Sequence, residues 1–284
     1  MDFVAEVSSN HNRDLERCMK FIDAAADVGC SAVKFQLFKI DQLFIPEVVS
    51  ARQDIQNRRK WELPLSFLPS IFKRCREKNL KLACTPFYLE AVGEIEPFVD
   101  FYKIASYELL WTDLLKACAR TGLPVVLSTG MATLDEVKKA VDTLSGSGCR
   151  DITLLHCTSG YPAPVEQCNL AAIKTMRDAF GFPVGWSDHS VQPGVIYRAV
   201  QYWGASMVEF HLDLEGKGEE FGPGHCWLPD QIGAVISNLK LAEGADGNGE
   251  KMPAEIEAVE RSWRADPADG LRPLKTIRNR VNES

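Results

Sequence analysis

The chain has 284 residues, 45% of them hydrophobic and 25% charged, with a formal net charge of −7. That length suits one large α/β barrel of roughly 250 residues. The acidic balance excludes a nucleic-acid partner held by a basic face, and no run approaches the ~20 apolar residues of a membrane helix. The nine cysteines are odd in number and contain no C-x-x-C pair, so neither a disulfide framework nor a zinc ribbon is expected. The N-terminus opens on Asp2 without a basic leader region, and a reduced, cytoplasmic protein is the expectation.

In chain order, apolar runs predict strands at residues 3–8, 31–38, 81–86, 101–106, 124–129, 151–157, 183–188 and 206–212. These runs show little alternation, as in strands buried on both faces. Helical patterns lie between them. Leu15, Cys18, Met19, Ile22, Ala25 and Ala26 repeat at helical spacing, and Gly29 supplies a stop. Helices are also predicted over 66–78, 89–96, 112–120, 169–179, 193–203 and 229–244. Thr133 and Glu136 form a capping box that opens a further helix, closed by Gly146.

Eight strand–helix repeats, with no G-x-G-x-x-G turn after the first strand, predict a (β/α)8 TIM barrel rather than a doubly wound sheet. The barrel is assigned to residues 1–244 as a single domain. Residues 245–284 are polar and rich in Gly and Pro, and read as an extended C-terminal tail with a short helix around 254–263. Residues 39–63 are too long for an ordinary connection and predict a lid or rim over the barrel mouth.

In this fold the site lies at the C-terminal strand ends. Lys34 and Lys103 fall inside otherwise apolar strands, where an ammonium needs an anion or a water-filled mouth, or else snorkels to the rim. With hydroxyls at Thr85, Ser106, Ser128 and Ser187 they converge on a phosphate or carboxylate; a Schiff-base role for one lysine is the rival reading. His189 and His211 end adjacent strands. Glu209 shares the strand face of His211, and Glu6 is a third acidic neighbour. That set suits a divalent metal with open positions, or equally two hydrogen-bonded rim histidines. His156 reads as a core histidine. His11 and His225 sit in polar and glycine-rich loops, and the cysteines read as buried structural thiols.

Eight motifs in order carry a resemblance: residues 5–12 (AEVSSNHN), 32–36 (AVKFQ), 85–87 (TPF), 103–106 (KIAS), 127–131 (LSTGM), His156-Cys157 with Tyr161-Pro162, 187–189 (SDH) and 209–211 (EFH). Together they closely resemble the N-acetylneuraminate (sialic acid) synthase family, which includes the legionaminate and pseudaminate synthases. The resemblance implies a barrel that condenses phosphoenolpyruvate with an open-chain N-acylamino sugar, giving a 2-keto-3-deoxy (nonulosonic) acid and phosphate by C–O cleavage. It implies a divalent ion, commonly manganese with magnesium or cobalt as alternatives, on His189 and His211. Lys34, Lys103, Thr85, Ser106, Ser128, Ser159 and Ser187 would hold the carboxylate and phosphate. Glu6, Gln36, Glu108 and Tyr161 would meet the sugar or the attacking water, with Glu6, Lys34, Lys103 and Glu209 as the catalytic set. A homodimer is expected on the same ground.

Several departures accompany the resemblance. The family's additional C-terminal antifreeze-like domain, which donates an arginine to the sugar, is not part of the 284 residues. The family's Gly-Pro-Asp-His is here Gly222-Pro223-Gly224-His225. Arg13 stands for a usual glycine, and Phe210 for a usual lysine. A metal-dependent aldolase or isomerase on the same barrel, or a non-catalytic binder of sugar acids, are the alternatives.

Overall fold

The computed structural model describes residues 1–281. Eight parallel strands run in sequence order: β1 (Asp2–Glu6), β2 (Ala32–Leu37), β3 (Lys81–Pro86), β4 (Phe101–Ile104), β5 (Val125–Ser128), β6 (Ile152–Cys157), β7 (Val184–Asp188) and β8 (Met207–Leu212). Pairing of β1 with β8, Glu6 opposite His211, closes the barrel. A two-residue strand, β9 (Cys226–Trp227), pairs beside the end of β8. Helices follow each strand, from Leu15–Asp27 after β1 to Pro229–Glu243 after β8. The fold is the (β/α)8 TIM barrel that the sequence predicts.

The period-2 geometry of the strands separates two cores. Val4, Ala32, Ala83, Phe101, Val126 and Leu155, with Met207, form one apolar cluster in the barrel interior. Two residues further along the same strands, the inward positions turn polar: Glu6, Lys34, Thr85, Lys103, Ser128 and Glu209. The alternate residues, among them Phe3, Phe35, Tyr102, Leu127, Trp186 and Phe210, face the helices in the main core. Phe210 is fully buried there, away from the mouth, so its replacement of a lysine does not alter the site wall. Gly185 is required where the interior closes. A Cβ there would collide with the carbonyl oxygen of Met207 and lie 2.7 Å from Leu155.

Three expectations change. The run predicted at 101–106 leaves the sheet at Ile104, because Ser106–Glu108 turns into a 3-10 helix that carries the chain across the mouth. The predicted helix at 193–203 is an α-helix only over Pro193–Tyr197 and continues as a π-helix over Arg198–Tyr202. The lid is helical: Ile40–Leu43, Pro46–Ala51 and Gln53–Asn57, then a 3-10 turn over Arg58–Trp61. Phe38, Ile40, Val49 and Ile55 give it a small core of its own, joined by Trp61 and Phe87.

The chain divides into a barrel unit, Met1–Lys240, and a C-terminal unit beginning at Leu241. In the C-terminal unit the helix expected near 254–263 is replaced by two 3-10 turns, Glu255–Glu257 and Glu260–Trp263. A helix over Lys275–Val281 was not expected, and the Asp266 carboxylate accepts the backbone N–H of Lys275 at its start. All nine cysteines are free, and eight are buried. Among the described residues no helix is long and apolar enough to cross a membrane.

Candidate active site

The C-terminal strand ends open into a cavity of about 410 Å³. Of the residues singled out in the sequence, Lys34, Gln36, Lys103, Ser106, Ser128, Tyr161, Ser187, His189, Glu209 and His211 line it. Glu6, Thr85, Glu108 and Ser159 are not on its wall. Glu6 is fully buried between β2 and β8, opposite Lys34 and His211 in register. Thr85, Glu108 and Ser159 each keep a buried oxygen without a hydrogen-bond partner among the described residues.

The two lysines meet over one carboxylate. Lys34 and Lys103 each donate to Glu209 Oε1 at 2.9 Å, and Ser187 donates to the same oxygen at 3.3 Å. Lys34 also ion-pairs with Glu6. Glu6 in turn accepts the Ser8 N–H at 2.6 Å and the Gln36 amide at 3.3 Å. Burial pushes the Lys34 ammonium down to about 7, with Lys103 adding repulsion, although Glu209 opposes the shift. Burial alone would raise Glu209, but Lys103 and then Lys34 hold it well below the usual carboxylate range. Two buried carboxylates and two buried ammoniums therefore balance one another at the floor of the cavity. An incoming anion can exchange for Glu6 or Glu209 as lysine partner without leaving either ammonium bare.

Beside the lysines lies a hydroxyl cradle. A Cβ on Gly130 would collide with Ser159 Oγ and sit 2.8 Å from Ser106 Oγ and 2.9 Å from Cys157 Sγ. The Gly130 N–H donates to Ser106 Oγ at 3.1 Å, which leaves the Ser106 proton free to point elsewhere. Ser128 Oγ is buried close by with no partner among the described residues. Hydroxyls of this kind, next to two lysines, match the oxygens of a phosphate.

The other side of the mouth is a histidine wall. His189 and His211 have ring centroids 5.5 Å apart, His211 and His225 4.9 Å, and Tyr161 packs 4.3 Å from His189. His189 Nδ1 donates to the Thr158 carbonyl at 2.8 Å, leaving Nε2 to the cavity. Burial lowers His189 to about 3 and His225 to about 4, so both are neutral imidazoles at neutral pH. His211, Glu220, His225 and Cys226 bring their donor atoms within 4.8 Å of one another, a group to which His189 does not belong. Cys226 is a poor ligand: burial pushes its thiol up to about 12, and it donates to the Glu220 carbonyl. Two or three imidazoles with one carboxylate suit a divalent ion, and the buried Nδ1 of His225 has no partner among the described residues. The residues present fit a metal.

Neither Glu220 nor the position of His225 beside His211 was among the predicted site features. Nothing in the sequence sets Glu220 apart from its neighbour Glu219. Only the fold shows that Glu219 pairs with Lys60 while Glu220 turns inward to Ser8 and Ser9. His156, expected in the core, is partly buried and is bonded to the Cys168 carbonyl at 2.9 Å.

A model of the NeuB family matches residues 21–251. The chain is 35% identical over 269 residues to an uncharacterized protein of Methanocaldococcus jannaschii, covering 92% of this chain and 77% of that one. It is 33% identical to the N,N'-diacetyllegionaminic acid synthase of Campylobacter jejuni, over 89% of this chain and 80% of the relative. Among solved structures, the N-acetylneuraminic acid (sialic acid) synthetase of Leptospira borgpetersenii in complex with citrate superposes with a TM-score of 0.79 at 29% identity, covering 91% of this chain and 89% of that one. A family match across most of the barrel and relatives of this similarity agree with the motifs at the strand ends, and the chain belongs to the NeuB family.

Proposed function

We propose that this protein is a nonulosonic acid synthase that condenses phosphoenolpyruvate with an N-acylamino aldose, with residues 1–244 as the catalytic barrel. The names of its relatives as legionaminic, pseudaminic and sialic acid synthases support the reaction class. The observation that carries the reading is the shared contact of Lys34 and Lys103 over Glu209, set beside the Ser106 and Ser128 hydroxyls in the cavity that also holds His189 and His211. Phosphoenolpyruvate has a carboxylate and a phosphate, and this wall offers two ammoniums and a ring of hydroxyls to match them. The nine free cysteines support a reducing, cytoplasmic setting.

The residues divide the work. Lys34 and Lys103 neutralise the carboxylate and phosphate, Ser106, Ser128 and Ser187 donate to their oxygens from the wall, and the buried, unpartnered hydroxyls of Thr85 and Ser159 stand behind them. Gln36 and Tyr161 face the acceptor from the cavity wall, with Glu108 buried behind it within the field of Lys103. His189 and His211 would hold a divalent ion, manganese by family resemblance, which when bound would supply Lewis-acid polarisation of the acceptor's aldehyde oxygen. The C3–aldehyde bond forms and leaves C2 cationic next to the lysine-held anions. Water adds to C2, positioned by Glu6, which can take its proton. The C2–O bond to phosphate then breaks as C2 becomes the ketone. Lys34 and Lys103 stay paired with carboxylate and phosphate throughout, so the charge rearranges against fixed partners.

The test is phosphate release from phosphoenolpyruvate over a panel of N-acylamino aldoses, with Mn²⁺ present. Stoichiometric phosphate and 2-keto-3-deoxy acid are expected, with ¹⁸O placed in the bridging position leaving in the phosphate. Phosphoenolpyruvate-independent turnover of the same aldoses would establish the aldolase or isomerase reading. Binding without any turnover would establish the non-catalytic one.

A further inference from the structure

The loop after β8 places Glu220 between the end of β1 and the histidine wall. Three donors converge on one of its oxygens: Ser8 Oγ at 2.6 Å, Ser9 Oγ at 2.5 Å and the Ser9 N–H at 3.2 Å all reach Oε1. The other oxygen, Oε2, faces His211 Nδ1 at 3.4 Å. Both side chains are largely enclosed, at 18% exposed for Glu220 and 12% for His211. The loop is anchored on both sides of this contact. Asp213 Oδ2 accepts the N–H groups of Lys217 and Gly218, and Cys226 Sγ donates to the Glu220 carbonyl. Ser8 adopts a left-handed backbone (φ 48°), a conformation that is costly for a residue with a Cβ and is held here by its contacts to Glu6 and Glu220.

This geometry fixes which nitrogen of His211 carries the proton. Oε1 is saturated by the serines, so Oε2 can only accept, and the group opposite it must be an N–H. His211 is thereby held with its proton on Nδ1 and a lone pair on Nε2. His189 shows the same arrangement by other means, its Nδ1 donating to the Thr158 carbonyl at 2.8 Å. Two histidines whose Nδ1 atoms both meet fixed acceptors present two Nε2 lone pairs to one cavity. A ligating imidazole is ordinarily oriented by such an outer acceptor.

We propose that Glu220 is a positioning residue for the metal: by accepting from Nδ1 it locks His211 in the tautomer that ligates through Nε2. This inference rests on the metal-dependent reading of the site. Ser8 and Ser9 orient Glu220 and form the next link. The arrangement assigns a function to an acidic residue of the loop although Gly224 occupies the acid position of the Gly-Pro-Asp-His motif.

The discriminating variant is Glu220→Gln. The serines are donors, so they retain the amide oxygen, and the amide NH₂ must face His211. That forces Nδ1 to accept and moves the ring proton to Nε2, while the loop remains fastened. Mn²⁺ titration of the full chain, followed by calorimetry or by loss of the free-ion paramagnetic signal, should show roughly 10- to 100-fold weaker binding than wild type. In the metal-free protein, ¹⁵N-histidine spectra should report the Nδ1–H tautomer for His211 in wild type and Nε2–H in Glu220→Gln. Glu220→Ala, with the loop released, should weaken binding at least as much. Wild-type affinity in Glu220→Gln, or an Nε2–H His211 in the metal-free wild type, overturns the assignment while leaving the synthase reading intact. A wild-type protein that binds no Mn²⁺ overturns the metal reading and this assignment with it.

Discussion

Lys34 and Lys103 approach the same oxygen of Glu209, each at 2.9 Å, from strands β2 and β4 across the barrel from β8. Their situations differ. Lys34 has a second carboxylate in Glu6, whereas Lys103 has Glu209 as its one ion-pair partner among the described residues. Removing one member of a buried pair leaves the other charge uncompensated, at a cost of about 3 kcal/mol or more. Lys103→Met should therefore lower unfolding stability by roughly that amount and also raise the KM for phosphoenolpyruvate at least about tenfold, or ~1.4 kcal/mol. Adding Glu209→Leu should restore much of the stability and none of the activity. Denaturant midpoints of the three proteins check this, and a fully stable Lys103→Met would refute it.

The depressed Lys34 raises the question of covalent chemistry, since a lysine near 7 is partly a free amine at neutral pH. Its contacts to Glu6 and Glu209 favour the ammonium and leave its lone pair no open approach. Borohydride treatment during turnover with phosphoenolpyruvate and aldose is expected to trap nothing. A mass increment on Lys34 or Lys103 would establish the Schiff-base route instead.

Gly130 gives a steric test of the anion cradle. Gly130→Ala places a methyl group into the space that Ser106 and Ser159 share, overlapping the Ser159 hydroxyl and 2.8 Å from that of Ser106. The phosphoenolpyruvate KM should rise by about tenfold or more, with stability little changed if the serines rotate away. Gly194→Ala, which meets nothing within 4 Å on its helix, is the matched control and should be silent. Equal kinetics in the two variants would remove the cradle from the phosphate site.

Burial raises Glu108 from its ordinary value to about 7, with Lys103 opposing the shift. The folded state therefore keeps a proton that the unfolded chain gives up near 4.5. Stability must fall as pH rises between about 4.5 and 7, and the penalty is complete above 7. The shift corresponds to about 3 kcal/mol at its limit. Glu108→Gln should be more stable than wild type at pH 8 by an amount of that order, with the difference vanishing at pH 4. Urea midpoints across this range check it, and parallel curves for the two proteins would refute it.

Most of the barrel is legible because strands buried on both faces leave uninterrupted apolar runs, and because a lysine in such a run must have a reason. Lys34, Lys103 and Glu209 could be found that way. Other parts depend on contacts that no local pattern encodes. Glu220 turns inward only because Ser8 and Ser9, more than 200 positions earlier, donate to it. The lid helices, of four to six residues, are too short for a helical period to register, and they are held by packing on Phe38 and Phe87. Phe210 marks the opposite limit: its motif position suggested the site, while strand alternation sends it to the outer core.

Metal removal tests the histidine wall as a whole. His189 and His211 contribute little to the apolar core, so His189→Ala and His211→Ala should remain folded yet lose turnover and measurable Mn²⁺ affinity. Chelator-treated enzyme should be inactive and should recover on addition of Mn²⁺. Full activity of the metal-free protein would refute the assignment.

The lid contributes an apolar stretch of the cavity wall, which the proposed reaction leaves for the acceptor. Phe38, Ile40, Leu43, Trp61 and Phe87 line that stretch, with Arg58 beside them, its guanidinium 5.7 Å from the Trp61 ring. Gly224 leaves open space where the family motif has an acid, since a Cβ there would meet nothing within 4 Å. A wall of this kind gains from methyl and N-acyl groups and gains little from a chain of hydroxyls. Each extra methylene in such a pocket is worth about 1–3 kcal/mol, or 10- to 200-fold in kcat/KM. N-acetylmannosamine should therefore be a poor acceptor, used below roughly 10⁴ M⁻¹s⁻¹. An aldose with a terminal methyl and a second N-acyl group should exceed it by about tenfold or more. Trp61→Ala should raise the acceptor KM while leaving that for phosphoenolpyruvate unchanged, because Lys34 and Lys103 are held by Glu6 and Glu209 and not by the lid. Steady-state kinetics with both acceptors on wild type and Trp61→Ala decide the matter. Efficient use of N-acetylmannosamine, together with an unaffected Trp61→Ala, would show that the lid does not select the acceptor.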